Sequence, residues 1–588
     1  MADPITTLDN LLRPAFDAVA ADAAPVDPVV RASEHADAQA NGALGLAKRL
    51  GRPPRDVADE IVAYLNDSGV LDGICDGIEV AGPGFINLSL SPEFLGAEVA
   101  ALIGDDRLGV AEADTARTVV IDYSAPNVAK EMHVGHLRST VIGDALVRLL
   151  GFLGHRVIRE NHIGDWGRPF GMLIEHLIDI GADAAGEGLS QGDLDGFYKA
   201  ANAKFDASPE FQERSRQRVV ALQSGDAETT ELWQRLVSMS TDYFNTVYRQ
   251  LGVLLDDDDL MGESRYQDLM ASTIERLDAA GLLVDSDGAR VVFPDGFTNR
   301  DGDPLPLIIQ ARTGGFNYAT SDLSCVIDRV ERLGADLLLY VVGAPQRQHL
   351  EMVFEVARLA GWLAPPAEAV HVSFGNVLGA DRKMLRSRSG DAVKLVELLD
   401  EAVERAAAAV ADKNPDLDDA ARAEVARLVG IGSVKYADLS TDRIRDYVFD
   451  WDRMLSFDGN TAPYLQYAHA RICSIFRRAD LDRDAFAAQW SDDPTAIIGL
   501  GHEAERTLAK RLLAYPSVIA AAAAGYEPHT VCTYLYELSQ EFTAFYEHCP
   551  VLRAEEPTRR DRLLLCDLVA RTLDHGLGLL GIDVPEQM

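Results

Sequence analysis

The sequence predicts a multidomain α/β protein in which a doubly wound parallel sheet precedes an all-α domain. Short apolar runs at 118–123 and 155–159 alternate with helix-length segments at 136–152 and 166–180. The strand pattern resumes at 337–342 and 370–374, which lengthens the predicted sheet. After about residue 395 strand patterns nearly vanish, and apolar residues recur at helical spacing from 531 to 545 and from 563 to 577.

A chain of 588 residues is long enough for roughly four domains. The predicted segments are an N-terminal α+β domain (1–115), a sheet domain (116–395) with an insertion at about 181–300, a connecting helical region (396–457) and an α-helical domain (458–588). In the first domain, strands near 77–80 and 85–88 flank Gly82-Pro83-Gly84, which predicts a hairpin turn. A helix from about Pro92 to Ile103 closes that domain.

The chain is strongly acidic, with a net charge of −38, yet 47% of its residues are hydrophobic. That apolar content excludes global disorder. The 55 basic residues comprise 9 Lys and 46 Arg, and an acidic excess with so little Lys is typical of a protein that works in molar salt. An ordinary acidic cytosolic enzyme is the alternative. Charge alone argues against a nucleic-acid partner, an expectation that the motifs below reverse.

Other compositional features exclude several classes of protein. No apolar run reaches about 18 residues, so we expect no membrane span. The first residues lack the charged and apolar regions of a signal peptide, which favours a cytoplasmic location. The six cysteines form no C-x-x-C pair, so neither a disulfide framework nor a structural zinc site is predicted.

The polar segment from Ser124 to His136 separates the first strand of the predicted sheet from its helix. Open α/β sheets bind ligands at this carboxyl end of their strands. His133 and His136 lie at the start of the helix, and Gly135 permits close approach of a ligand, which suits a nucleotide polyphosphate. The imidazoles can donate hydrogen bonds to phosphate oxygens as negative charge develops on those oxygens. Because H-x-G-H is a weak motif, packing or capping histidines remain an alternative.

A basic cluster from Arg382 to Arg388, which includes Lys383 and Arg386, follows the last predicted strand. Such a loop can bind the pyrophosphate that leaves a nucleotide. A solvated basic turn is the alternative for the cluster taken alone. The order and separation of the two motifs favour the catalytic interpretation.

Together the motifs resemble the HIGH and KMSKS signatures of class I aminoacyl-tRNA synthetases. Residues 124–136, 161–167, 317–323 and 459–468 resemble arginyl-tRNA synthetases specifically, and the resemblance covers essentially the full chain. It implies a Rossmann-type class I catalytic domain, an added N-terminal domain that touches the corner of the tRNA, and an α-helical anticodon-binding domain. With the acidic excess, we expect a halophilic archaeal-like member of the family.

The resemblance implies that the chain activates L-arginine with ATP and transfers it to the 3′-terminal adenosine of tRNA(Arg), releasing AMP and pyrophosphate. In this family activation usually requires the tRNA. ATP is expected as its Mg²⁺ complex, without a dedicated protein metal site. By resemblance, His133, Gly135, His136, Lys383 and Arg386 bind ATP, and all of them except the glycine are catalytic. The general class I pattern has Lys at the position of Arg386, and Arg carries the same charge with a different reach.

An arginine substrate needs polar acceptors around its guanidinium, because an unpaired buried cation is very costly. The resemblance places five residues in the arginine pocket: Asp122, Asn127, Tyr318, Asp322 and Gln346. We expect Asp322 to pair with the guanidinium and Asp122 to supply a second carboxylate. A helix N-cap at Asp322, and core polar positions for Tyr318 and Gln346, are the alternatives.

The resemblance also implies two sets of tRNA contacts. Phe85 and Asn87 in the N-terminal domain suit base stacking and hydrogen bonding, although Phe85 could instead face the core. In the C-terminal domain the candidates are Tyr464, Tyr467, Arg471, Tyr546 and Met588. The first three share one helix face, where a tyrosine pair could equally belong to the core.

Three rival interpretations remain at this point. Another class I synthetase, for glutamate or cysteine, would need a basic pocket or a zinc-ligand pattern, and the sequence favours neither. A non-catalytic RNA-binding paralogue would not need His133, His136 and Lys383 intact. A small nucleotidyltransferase would leave the helical C-terminal region without a purpose. We expect a monomer without a membrane partner.

Overall fold

The structure is a computed structural model that describes residues 3–33, 35–181, 194–312, 314–386, 392–414, 417–491 and 497–588. Within it the chain divides into two compact units. One unit comprises Met1–Ala111, Phe457–Gly578 and Val584–Met588, and the other comprises Glu112–Ser456 and Leu579–Asp583. Segments from both ends of the chain therefore share one unit, which local sequence patterns do not predict.

The N-terminal segment of the first unit is a four-stranded antiparallel sheet with helices. Its elements are α1 (Pro4–Ala20), β1 (Val30–Ala32), β2 (Ala38–Ala40), α2 (Gly42–Leu50), α3 (Pro54–Ser68), β3 (Cys75–Ala81), β4 (Phe85–Leu90) and α4 (Pro92–Ala100). The predicted hairpin is confirmed, since β3 and β4 pair from Ala81↔Phe85 onward. The three-residue strands β1 and β2 are too short to produce a recognisable sequence period.

The second unit contains the parallel sheet, its insertion and the connecting helices. In chain order its elements are β5 (Thr118–Asp122), α5 (Val134–Phe152), β6 (Arg156–Glu160), α6 (Pro169–Ile180), α7 (Leu194–Ala207), α8 (Pro209–Gln223), α9 (Ala227–Leu251), α10 (Gln267–Ala279), β7 (Val284–Ser286), β8 (Ala289–Val292), β9 (Leu307–Gln310), α11 (Tyr318–Ile327), β10 (Leu337–Tyr340), α12 (Arg347–Leu359), β11 (Glu368–His371), β12 (Val377–Leu378), α13 (Leu395–Lys413), α14 (Asp419–Leu439), β13 (Tyr447–Val448) and α15 (Trp451–Met454).

The parallel sheet has the strand order β11-β10-β5-β6. The chain runs from β5 outward to β6 and later returns to β10 on the other side of β5, so β5 and β10 flank a topological switch point. Ligands bind such sheets at the carboxyl ends of the strands beside this point. Strand β11 begins at Glu368, earlier than the predicted 370, because its pairing starts opposite Leu337 of β10. The predicted α/β fold is confirmed.

A small sheet that the sequence pattern does not predict begins in the insertion and ends just after its predicted boundary at about residue 300. Strands β7, β8 and β9 form an antiparallel sheet of short, partly exposed strands. Their inward side chains, including Val292 and Ile309, join one buried apolar cluster with Leu323 of α11 and Leu338 of β10. The insertion therefore helps to position α11, which carries predicted site residues. Residues 182–193 of the predicted insertion lie outside the described residues.

The C-terminal segment of the first unit is helical, as predicted. Its helices are α16 (Ala462–Arg478), α17 (Arg483–Ser491), α18 (Glu503–Leu513), α19 (Tyr515–Gly525), α20 (Pro528–His548) and α21 (Thr558–Leu579). Their apolar faces supply the core, including Leu535, Phe542 and Leu568, all of which are buried. In the part of the chain that the structure describes, no helix is both long and apolar enough to cross a bilayer.

A buried ion pair joins α5 to α14. Arg138 Nε donates to Asp438 Oδ1 at 3.2 Å, and Arg138 Nη1 donates to the carbonyl oxygen of Arg445 at 2.9 Å. The guanidinium also lies against the rings of Phe374 and Tyr447, at 5.8 and 5.3 Å from the ring centroids. Burial raises the pKa of Asp438, and the charge of Arg138 opposes this rise. The pair thus anchors the helix that follows the H-x-G-H motif.

We predict that Arg138→Met destabilises the protein, because Asp438 is left buried without its cation. The free energy of unfolding, measured by urea titration of near-UV circular dichroism, should fall by roughly 3–5 kcal/mol. The double variant Arg138→Met/Asp438→Leu removes both charges and should recover most of this loss. A single variant as stable as the unaltered protein would contradict the assigned role of the pair.

Candidate active site

Two adjoining cavities open at the carboxyl ends of the parallel strands. The acidic pocket has a volume of about 360 Å³ and is lined by Asp122, Asn127, Glu263 and Asp322, among others. The histidine pocket has a volume of about 780 Å³ and is lined by His133, Gly135 and His136, among others. The two cavities share the wall residues Ala125, Val342 and Gln346. A ligand in one pocket can therefore meet a ligand in the other.

The acidic pocket brings together all the residues that the sequence suggested for arginine. Asp122, Asn127, Tyr318, Asp322 and Gln346 all line it, although they come from three separate segments of the chain. The pocket also contains residues that the sequence analysis missed, namely His162, Glu263, Arg329 and His349. His162 lies in the distinctive segment 161–167, whereas Glu263 lies in the insertion, where no local pattern marks it.

Asp122 has a different partner from the one expected. Arg329 Nη2 donates to Asp122 Oδ2 at 2.7 Å, and Arg329 Nε donates to Glu160 Oε2 at 2.5 Å. Arg329 is almost completely buried and its guanidinium lies 4.8 Å from the ring centroid of Tyr340. It belongs to a π-helical turn, Asp328–Arg332, that follows α11. A protein cation therefore neutralises Asp122, and this carboxylate is not open to bidentate pairing with a substrate.

Asp322 faces the pocket from the second turn of α11. It is not the N-cap, because Asn317 caps this helix by accepting a hydrogen bond from the backbone N–H of Tyr318 at 2.9 Å. Asp322 Oδ2 lies 2.5 Å from His349 Nε2, and this hydrogen bond raises the pKa of His349 against the opposing effect of burial. Burial, followed by the charges of Asp165 and Asp322, raises the pKa of Glu263 to about 7. Asp322 and Glu263 are thus the carboxyl groups available to a cationic ligand.

Exposure excludes the alternative of core positions for two further residues. Tyr318 is 71% exposed, and Gln346 is also exposed.

Asn127 forms an isolated parallel β-bridge with Gly164, where an added Cβ would lie 2.4 Å from Asn127 Oδ1. A side chain at position 164 would displace the Asn127 amide, so the segment after β6 approaches the polar loop closely.

The two histidines cap α5 and line the histidine pocket at once. His133 Nδ1 accepts from the backbone N–H of Gly135 at 3.0 Å, and His136 Nδ1 accepts from the backbone N–H of His133 at 3.0 Å. Because each Nδ1 is an acceptor, a neutral ring carries its proton on Nε2 and can donate it to a ligand. The capping alternative is therefore compatible with nucleotide binding. At Gly135 an added Cβ would lie 2.7 Å from His133 Cε1, which explains the glycine.

Burial favours the neutral form of both imidazoles. Burial lowers the pKa of His133, and it lowers that of His136 to about 3, with the neighbouring His133 as the next cause. The two ring centroids are 4.1 Å apart, and neutral rings at this distance do not repel each other as two imidazolium ions would. The site offers two uncharged donors beside the N-terminus of α5, an arrangement that favours phosphate groups.

The basic segment lies only partly within the described residues. Met384, Leu385 and Arg386 line the histidine pocket, whereas Lys383 is exposed and is not part of its wall. Backbone contacts hold the start of this segment, since the N–H of Gly379 donates to the carbonyl of Lys383 at 2.8 Å. Ser387, Arg388, Ser389 and Gly390 of the predicted signature lie outside the described residues.

The N-terminal candidates for tRNA share the outer face of β4. Ile86 and Leu88 are buried, so Phe85 and Asn87 point to the opposite side and are half-buried. The alternative that Phe85 faces the core is therefore wrong. Asn87 Oδ1 accepts from Gln39 Nε2 of β2 at 2.7 Å, and Gln39 thereby joins this polar face.

The helical segment brings the other tRNA candidates together in part. The guanidinium of Arg471 on α16 lies 4.5 Å from the ring centroid of Tyr546 on α20. Tyr464 packs edge to face against Tyr536, which the sequence analysis missed, and Tyr467 is 44% exposed. Tyr467 is therefore not a core residue, whereas Tyr464 is half-buried. We name this cluster of aromatic side chains around Arg471 the Tyr–Arg face. Met588, the remaining candidate, is half-buried.

In the ranges that the structure covers, no group of three or more His, Cys, Asp or Glu side chains has the arrangement to hold a metal ion.

Comparisons with known proteins agree across the chain. Residues 98–451 match the family described as tRNA synthetases class I (R), catalytic domain. Residues 6–90 match the arginyl tRNA synthetase N terminal domain, and residues 465–588 match the DALR anticodon binding domain.

Similar whole proteins point the same way. An arginine–tRNA ligase from Thermobifida fusca (strain YX) is 54% identical over 590 residues, covering 100% of both chains. One from Frankia casuarinae is 49% identical, covering 99% of this chain and 98% of the relative. The crystal structure of the arginyl-tRNA synthetase from Plasmodium falciparum superposes with a TM-score of 0.83 at 26% identity, covering 100% of both chains. The two sequence relatives are bacterial and lend no support to the expected archaeal resemblance. The chain belongs to the class I arginyl-tRNA synthetases.

Proposed function

We propose that this arginine–tRNA ligase joins L-arginine to ATP across the wall that the acidic and histidine pockets share. The supporting observation is that Ala125, Val342 and Gln346 border both cavities. An amino acid whose side chain occupies the acidic pocket presents its carboxylate at this wall, where the α-phosphate of ATP would lie. Reacting groups held in this way need little further loss of freedom to react.

The acidic pocket binds the substrate side chain. Asp322 and Glu263 receive the guanidinium, and Tyr318 covers it from the rim. Asn127 and Gln346 bind the remaining polar atoms. Asp122, neutralised by Arg329, acts as a positioning residue instead of a direct partner. Two carboxyl groups match the planar fork of a guanidinium better than the compact ammonium of lysine.

The histidine pocket binds ATP, which arrives as its Mg²⁺ complex. His133 and His136 donate from Nε2 to phosphate oxygens, and Gly135 lets the nucleotide approach. Lys383 and Arg386 act on the β- and γ-phosphates. An oxygen of the arginine carboxylate attacks the α-phosphorus, and the bond from that phosphorus to pyrophosphate breaks. The nucleophile is already an anion, so the protein supplies no general base.

The second step transfers arginine to tRNA. A ribose hydroxyl of the 3′-terminal adenosine attacks the carbonyl carbon of arginyl-adenylate, the hydroxyl proton passes to solvent, and AMP leaves with the bonding electrons. Phe85 and Asn87 contact the corner of tRNA(Arg), and the Tyr–Arg face stacks on anticodon bases together with Met588. The four predicted segments (1–115, 116–395, 396–457 and 458–588) supply these separate tasks. The enzyme works as a monomer in the cytoplasm.

The proposal is tested by ATP–pyrophosphate exchange with arginine, with and without tRNA. Asp322→Asn removes the charge that pairs with the guanidinium, so the KM for arginine should rise by at least about 30-fold while the KM for tRNA stays unchanged. The matched control is Glu331→Gln, a carboxylate outside the cavity that pairs with Arg276 at 2.6 Å, and it should leave both constants unchanged. Parallel losses for arginine and tRNA in the Asp322 variant would point to misfolding and contradict the assigned role.

Arg471→Ala should weaken tRNA use through loss of stacking at the Tyr–Arg face. The KM for tRNA(Arg) in aminoacylation should rise by about tenfold, since stacking on one base is worth roughly 1–3 kcal/mol. The KM for arginine should not change. Arg553→Ala, at an exposed turn of the same unit, serves as the control. An unchanged KM for tRNA in the Arg471 variant would remove this helix face from the proposed anticodon surface.

The acidic composition further suggests adaptation to high salt, and this proposal rests on the net charge of −38 with 9 Lys among 55 basic residues. If it is correct, the melting temperature and the aminoacylation rate should both rise as KCl increases towards about 1 M, where the Debye length falls to about 3 Å and repulsion is screened. A chain adapted to ordinary cytosol would instead lose tRNA affinity steadily with added salt and gain no stability.

A further inference from the structure

His349 is hydrogen-bonded to Asp322, the carboxylate that the proposed arginine site assigns to the substrate. Its Nε2 lies 2.5 Å from Asp322 Oδ2, and the two side chains are 32% and 26% exposed. His349 stands in the first turn of α12, and Asp322 stands on the adjacent α11. Both line the acidic pocket. The ring is therefore placed where a guanidinium would have to bind.

The other charges around this pair have separate partners or environments. Arg329 is shared between Asp122 and Glu160, at 2.7 and 2.5 Å. Asp165 accepts hydrogen bonds from the backbone N–H and the hydroxyl of Ser264, at 2.9 and 2.6 Å. Among the described residues that line the cavity, Asp322 is thus the carboxylate that a titratable cation holds.

Several titratable or charged groups face the pair from the surrounding elements. They are Asp122 on β5, His162 after β6, Glu263 in the turn before α10, Tyr318 and Cys325 on α11, Arg329 in the π-helical turn and Tyr340 on β10. On α12 itself, Arg347 and Glu351 flank His349 in sequence. Among these groups, burial raises the pKa of Glu263 to about 7, so Glu263 can also release a proton near neutrality.

A guanidinium and an imidazolium cannot both be stabilised by one carboxylate in so small a space. The guanidinium keeps its charge at every accessible pH, whereas the imidazolium can lose its proton. Once neutral, the ring no longer repels the substrate and can accept a hydrogen bond from a guanidinium N–H. Charge balance at Asp322 is kept by exchanging one cation for another.

We propose that His349 is a proton-linked placeholder for the substrate guanidinium, a specificity-determining residue of the arginine site. In the empty pocket the imidazolium holds Asp322. When arginine binds, the N–H bond of the imidazolium breaks, the proton passes to solvent, and the guanidinium takes the carboxylate. This inference rests on the proposed binding of arginine at Asp322.

The exchange discriminates against uncharged analogues of arginine. L-Citrulline has nearly the same shape, but its ureido group brings no positive charge to replace the imidazolium. Its binding leaves the pair of His349 and Asp322 in place and releases no proton from it. The ring therefore adds a charge requirement to a pocket whose shape alone would admit both molecules.

The test is calorimetric titration of L-arginine into the full-length protein in PIPES and in Bis-Tris, whose different ionisation heats reveal the number of protons released. Because Asp322 raises the pKa of His349 in the empty pocket and the guanidinium removes that effect, arginine affinity should rise with pH through this raised pKa and then level off. His349→Gln should release about one proton fewer, and its slope of log Kd against pH should be smaller by about one. His548→Gln, on α20, is the matched control and should titrate like the unaltered protein.

Glu263→Gln separates the second source of protons. This variant should reduce the number of protons released on arginine binding by the number that Glu263 contributes. The contribution of His349 should remain. The inference is overturned if His349→Gln releases as many protons as the unaltered protein, or if L-citrulline releases as many as L-arginine. If Asp322→Asn binds arginine normally, the proposed arginine site itself fails, whatever the proton counts. The pH slope of the unaltered protein needs no variant, so a misfolded His349→Gln chain still leaves a decisive measurement: a flat profile from about pH 5.5 to 8.5 contradicts the proposal.

Discussion

The buried guanidinium of Arg329 is the constraint on which the site depends. It is almost completely desolvated, and it joins the last residues of β5 and β6 through Asp122 and Glu160 while lying against Tyr340 at the end of β10. One cation thus ties the carboxyl ends of three strands together and pairs with two carboxylates. Without it, those carboxylates would compete for the substrate or take up protons. With it, the acidic character of the pocket is concentrated at Asp322 and Glu263.

The two pockets share one wall but differ in how burial affects their titratable groups. In the acidic pocket, burial raises the pKa of Glu263 to about 7, so this carboxyl group can hold a proton until a cation arrives. The histidine pocket does the reverse, since burial keeps His133 and His136 neutral and leaves their Nε2 protons free to donate. In the proposed mechanism the cation and the polyphosphate bind in separate pockets, although the pockets are adjacent. Both depend on the backbone at the switch point between β5 and β10.

The net charge of −38 does not prevent this chain from belonging to a family that binds tRNA. Composition averages over the whole surface, whereas recognition depends on where a few side chains lie. Arg471 against Tyr546 and the polar face of β4 are local features that an average cannot contain. In strong salt the attraction of phosphates is screened, so stacking and base contacts would carry more of the affinity.

The sequence by itself determined the alternation of strands and helices, the hairpin of β3 and β4 and the helical C-terminal segment, because these depend on local periodicity. Through the family resemblance it also suggested five residues for an arginine pocket, and all five line one cavity. It did not determine the sheet of β7 to β9, whose strands are too short to show a period. Nor did it determine that Asp122 belongs to Arg329, that His349 holds Asp322, or that Glu263 enters the pocket from the insertion. Those pairings join residues far apart in the chain, and only the tertiary structure decides which charges are buried together and which remain for a ligand.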